Sequence, residues 1–169
     1  MQVLLDTHAL IWFFSGNEKL NGTARNLIED INNIKYISVA SVWEMAIKQS
    51  QGKLTLSVSL EDYSNPKSVV IFPSISTPPN PPLSKGRARV GFYILIANHL
   101  RLLYIAEKLQ LEDFNLLEIK LSHLNLVCQL PFYHKDPFDR LLIAQSIVEN
   151  ISIISQDSIF NLYPIHRIE

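Results

Sequence analysis

The sequence predicts an α/β fold with a mainly parallel central sheet, carried in one domain over residues 1–169. Three observations point there. Short apolar runs, Gln2–Leu5 and Ile151–Ile154, read as strands buried on both faces, the kind found in parallel sheets. Each run ends at an acid or a short polar stretch, Asp6-Thr7 and Ser155-Gln156-Asp157. Helical patterns alternate with the strands across short loops, as the βαβ arrangement requires.

The elements follow in order. After the first strand, His8–Phe14 reads as a helix stopped by Gly16 and Asn17. Asn21–Ile31 is a second helix, with Ala24, Leu27, Ile28 and Ile31 on one stripe. Tyr36–Val39 reads as a strand, and Ser41 as the cap of a helix through Val42, Trp43, Glu44, Met45 and Ile47, closed by Gly52. Near the other end, Asp136 suits a cap and Pro137 the first helical position of a helix through Leu141, Ala144 and Val148. The middle departs from this rhythm. Residues 64–104 carry Pro78-Pro79-Asn80-Pro81-Pro82 and a small basic cluster, Lys85, Arg87 and Arg89. Proline at that density favours extended backbone. Excising the segment would join Leu60–Tyr63 to the amphipathic run Ile105–Leu109, so it reads as a proline-rich insertion into an older domain.

Composition narrows the function classes. With 47% hydrophobic and 18% charged residues, the chain can bury a core and is not a disordered linker. Its single cysteine, Cys128, reads as a small buried hydrophobe and excludes an internal disulfide framework, which favours a reducing cytoplasm. No signal-peptide pattern opens the chain, and the most apolar run, Gly91–Ala97, is far too short for a membrane helix. The net charge of −1 gives no general attraction for polyanions, so phosphate would have to be drawn by local patches or by bound metal.

Four carboxylates stand out by position. Asp6 ends the first strand, Glu44 lies one turn into the helix after the second, Asp139 opens the Pro137 helix, and Asp157 follows the last strand. In a parallel sheet the carboxyl ends of strands and the N-termini of the following helices share one edge, where ligands bind. Clustered carboxylates repel unless a cation joins them, and Mg²⁺ or Mn²⁺ on such oxygens activates water for phosphodiester hydrolysis. Blander readings exist: Asp136 and Asp157 as helix caps, Asp6 as a turn residue, Arg140 as a phosphate contact or a partner of a neighbouring acid. His8 reads as a core residue on an apolar helix, and none of the five histidines has metal-ligand spacing. No Gly-rich phosphate loop or nucleophile elbow is present.

Longer motifs carry a resemblance. Leu4–Trp12, Ser38–Lys48, Gly52-Lys53-Leu54, His134–Gln145 and Ile154–Asp157 are similar to PIN-domain toxins of type II toxin–antitoxin systems, the VapC-like group. The resemblance spans both ends and omits the proline-rich middle. It implies a PIN-like three-layer sandwich and an Mg²⁺- or Mn²⁺-dependent endoribonuclease. It also implies that Asp6, Glu44, Asp139 and Asp157 hold the metal, with Asp136 adjacent; Asp136 and Arg140 are possible additional site residues. The implied partners are an RNA substrate, a small antitoxin whose tail enters the groove beside the acids, and a second copy of the chain. Two other readings remain: a disabled PIN-like protein that only binds antitoxin, and a receiver-like phosphotransfer domain. Deleting residues 64–104 is expected to leave a folded protein by circular dichroism; an unfolded product overturns the insertion.

Overall fold

Val3, Leu4 and Leu5 are wholly buried, and a strand apolar on both faces must be covered on both. The computed structural model describes residues 1–57, 70–72 and 113–169. It places β1 (Gln2–Leu5) at the centre of a five-stranded parallel sheet. The others are β2 (Ile34–Ser38), β5 (Phe114–Leu117), β6 (Ser152–Ile154) and β7 (Arg167–Ile168), in the order β5-β2-β1-β6-β7. A separate antiparallel pair joins β3 (Thr55–Ser57) to β4 (Val70–Phe72). The rest of the 64–104 segment, including Lys85, Arg87 and Arg89, and the flanking runs Leu60–Tyr63 and Ile105–Leu109 lie outside the described residues.

Helices cover the two faces. Val3, Leu5, Ile37 and Ile154 pack with Ala9 and Leu10 of α1 (Thr7–Phe14), Ala24 and Ile28 of α2 (Gly22–Glu29), and Met45 of α3 (Val39–Ser50). Leu4 and Ile153 face the other way. They pack with Leu142, Ile143 and Ala144 of α5 (Pro137–Glu149), Phe160, and Leu130 after α4 (Leu121–Gln129). The odd and even residues of β1 thus feed separate cores, as the strand's two-residue period dictates. The three-layer α/β expectation holds.

Local differences have local causes. Ser38, not Ser41, caps α3: its Oγ accepts from the Ala40 N–H at 2.9 Å, and the helix begins at Val39 rather than ending a strand there. Ser41 lies inside the helix, buried, its hydroxyl unpartnered among the described residues. α2 stops at Glu29, so Ile31 is 84% exposed instead of completing the apolar stripe. Cys128 is exposed on α4, not buried. α5 ends at Asn150 in the left-handed conformation (φ 53°), which lets the chain turn directly into β6. The Ser146 hydroxyl ties that turn by donating to the Ile151 carbonyl at 2.6 Å.

No helix among the described residues is long and apolar enough to cross a membrane. Leu142 is fully buried in the α5 core, so Leu142→Ala is expected to cost about 2–5 kcal/mol, read as a lower urea midpoint at unchanged slope.

Candidate active site

The site begins where β1 ends. Leu5 pairs with Ile37 on one side and Ile154 on the other, so Asp6, next in line, emerges between the ends of β2 and β6. Its backbone N–H donates to the Ile154 carbonyl at 3.1 Å. Its side chain caps α1, Oδ1 accepting from the Ala9 N–H at 2.5 Å. The residue is 4% exposed, and burial pushes its pKa above the ordinary carboxylate value, against the lowering effect of the bonds from Ala9 and Ser155.

Glu44 arrives from α3, a helix that touches both α1 and α5. It too is buried, and its oxygens meet partners within the chain. The Thr7 hydroxyl donates to Oε2 at 2.5 Å, and Lys48 Nζ, one turn on, lies 2.6 Å from Oε1. A glutamate on an apolar helix needs such partners when removed from water.

Asp139 stands in the first turn of α5. Burial raises its pKa first, and the charges of Asp136, Asp6 and Glu44 add to the effect while His134 opposes it; the result is about 7. Charges screened by distance and water would not act on one another so, and Asp6, Glu44 and Asp139 therefore share one field. Asp136 is the cap of α5, Oδ1 accepting from the Phe138 N–H at 2.8 Å, which is the blander of its two readings.

Asp157 follows β6 and caps a 3-10 helix (Ser158–Leu162), accepting from the Ile159 N–H at 2.8 Å. Burial raises its pKa, but the bonds from Ile159 and His134, and the charge of Arg167, outweigh that and hold it below the ordinary value. His134 is the residue that the spacing rules overlooked. Its Nδ1 accepts from the Asp136 N–H at 3.1 Å, so its proton sits on Nε2. That Nε2 lies 3.0 Å from Asp157 Oδ2 and 3.4 Å from Asp139 Oδ2, yoking acids from two elements. The Tyr163 hydroxyl receives the His134 backbone N–H at 2.8 Å and donates to the Pro131 carbonyl at 3.0 Å. Histidine spacing in the sequence carries no sign of this, because both contacts cross between elements; the only hint is its place in the His134–Gln145 motif.

Arg140 does neither of the things expected of it. Its guanidinium is buried, donating to the carbonyls of Pro131, Val127 and Leu130 at 2.8–3.0 Å. Its donors are spent on the carbonyls at and after the end of α4. His8, expected in the core, is exposed, its ring 5.8 Å from that of Trp12. At the rim, Trp43 is 57% exposed and meets Phe138 edge-on at 5.3 Å.

The donor set is all hard oxygen, which suits Mg²⁺ or Mn²⁺ in kind. Among the described residues no three His, Cys, Asp or Glu side chains close around a single point as a finished ligand shell. Mg²⁺ does not need one: it keeps several waters and is commonly held by one or two carboxylates with substrate phosphates. A carboxylate has about four lone-pair sites, so the Thr7 and Lys48 bonds leave Glu44 capacity to spare. A cation would favour the charged form of Asp139, which burial and the neighbouring Asp136, Asp6 and Glu44 disfavour.

A PIN-domain family model matches residues 3–77, a stretch holding Asp6 and Glu44 and reaching into the proline-rich segment. No curated protein matches the sequence. Among solved structures, a chain in the crystal structure of VapBC2 from Rickettsia felis bound to a DNA fragment from their promoter superposes with a TM-score of 0.54. The two share 12% identity over 99% of this chain and 98% of that one. At that identity the likeness is one of fold.

Without metal, a folded pKa near 7 for Asp139 against 3.8 unfolded means the native state binds the extra proton. Stability contributed by that proton is present below about pH 4 and is lost as pH rises towards 7. Chemical denaturation in EDTA is expected to show this decline, on the order of 2–4 kcal/mol, and Asp139→Asn is expected to flatten it. The chain thus resembles the PIN-domain family over residues 3–77 and shares its fold with the VapBC2 chain over its whole length.

Proposed function

We propose that the chain is a metal-dependent endoribonuclease that hydrolyses RNA phosphodiesters and serves as the toxin of a toxin–antitoxin module. The observation that carries this is the meeting of acids from separate elements at the end of β1: Asp6 and Asp157 line one cavity, and the His134 ring joins Asp157 to Asp139. Asp6, Glu44, Asp139 and Asp157 would hold the ion. Bound there, Mg²⁺ or Mn²⁺ supplies a lowered pKa for water and neutralises charge on the phosphate.

The chain's own residues have distinct tasks. Asp6 is fixed by the α1 N-terminus and cannot swing away without losing its bond from Ala9. Asp139, whose carboxyl is pushed up to about 7 by burial when no cation is bound, would be ionised by the metal it helps to hold. His134 keeps Asp139 and Asp157 at a set separation. Lys48 offsets the charge of Glu44, easing the repulsion between the acids.

The fold likeness to VapBC2 supports the toxin–antitoxin setting, with a small antitoxin and a second copy of this chain as partners. One observation favours a second reading, a PIN-like protein that only binds antitoxin. Lys48 already places an internal cation 2.6 Å from Glu44, where an added one would otherwise act. Cleavage of total cellular RNA separates the two. The expected outcome is cutting with Mg²⁺ or Mn²⁺, abolished by EDTA and reduced about 100-fold or more in Asp6→Asn. Intact RNA after incubation with a folded, metal-supplied protein would select the binding-only reading.

A further inference from the structure

Beside the carboxylates lies a cavity of about 280 Å³ whose described walls are Asp6, His8, Trp12, Gln156 and Asp157. Its lining is unlike that of a metal cage. Two acids share the lining with two rings, His8 and Trp12, whose centroids are 5.8 Å apart and whose planes are tilted by 40°. Trp12 is half-buried and packs against the core, so its ring is fixed, whereas His8 is exposed. The Gln156 side chain is exposed at the mouth and makes no hydrogen bond among the described residues, leaving both an amide donor and an acceptor free. Lys19 Nζ stands 5.9 Å from the Trp12 ring, a positive charge beside an otherwise acidic opening.

A flat heterocycle with a polar edge matches all of these features at once. Aromatic rings bind any base by its faces, a free amide reads its edge, and a neighbouring cation meets the phosphate that follows. We infer that this cavity seats one nucleobase of the strand whose phosphodiester lies at Asp6 and Asp157, with Trp12 and His8 against the base and Gln156 on its edge. The inference rests on the nuclease reading for the identity of the strand. Seating a base there fixes the neighbouring phosphate against the acids, the positioning that hydrolysis requires. An arginine-bearing peptide, such as an antitoxin tail, is the competing occupant.

The chain has two tryptophans, so Trp43→Phe leaves Trp12 as the only indole reporter. The experiment titrates this variant with a short single-stranded RNA in EDTA, where metal-dependent cutting cannot shorten the probe. A series of strands with one abasic residue at successive positions is run beside it. Expected are saturable quenching of Trp12 and, at one position of the series, loss of quenching with about tenfold weaker binding. In the same background, His8→Ala is expected to weaken binding severalfold without touching the core, and Gln156→Ala to change the ranking of bases at that position. RNA that binds by anisotropy and is cleaved with metal, but leaves Trp12 unquenched or ignores the abasic change, overturns the base seat and spares the nuclease. Base-dependent quenching without any metal-dependent cleavage sustains the seat and removes the nuclease. Quenching by an arginine-bearing peptide but not by RNA overturns the seat in favour of the peptide, and failure to bind RNA at all overturns both.

Discussion

Everything at the candidate site follows from the burial of β1 between two helical layers. Val3, Leu4 and Leu5 are removed from water on both faces, and the strand lies between β2 and β6. The residue after such a strand has no route to solvent except along the sheet edge. Asp6 is therefore desolvated by the architecture itself, and it survives there because the first turn of α1 offers an N–H to its oxygen. A sheet of alternating apolar and polar strands would have exposed this position and left an ordinary carboxylate.

The carboxylates converging on that edge are stabilised by different means. Asp6 and Asp157 each take an N-terminal backbone N–H, Glu44 takes the Lys48 ammonium and the Thr7 hydroxyl, and Asp157 adds the His134 ring. Asp139 is left with the least, sharing His134 at the longer distance. Its raised affinity for a proton comes first from burial, with the charges of Asp136, Asp6 and Glu44 adding to it against His134. That burial gives one carboxyl of the edge a protonation equilibrium near neutral pH.

Arginine and histidine roles were the hardest to read in advance, for a common reason. Arg140 sits beside Asp139 in sequence but points across α5 into the carbonyls that end α4. His134 lies before the helix, yet bonds to an acid 23 residues later. Adjacency along the chain says nothing about which face of a helix a long side chain takes, nor about partners brought in by a neighbouring element. Capping, by contrast, is a local interaction. Asp136 was legible because the bond it makes is to its own helix two residues on.

The sequence by itself determined the parallel α/β class, the strands at either end, the caps at Asp136 and Asp157, and the four acids at strand ends and helix starts. These rest on short-range rules: apolar periodicity, cap preference and the geometry of β–α connections. Only the tertiary structure decided that Glu44 is ion-paired to Lys48, that His134 yokes Asp139 to Asp157, that Arg140 is spent on α4, and that His8 and Trp12 line a cavity beside Asp6. Those outcomes depend on how α1, α3 and α5 lie against one another, and helix-to-helix placement is set by packing over long sequence separations that no local pattern encodes.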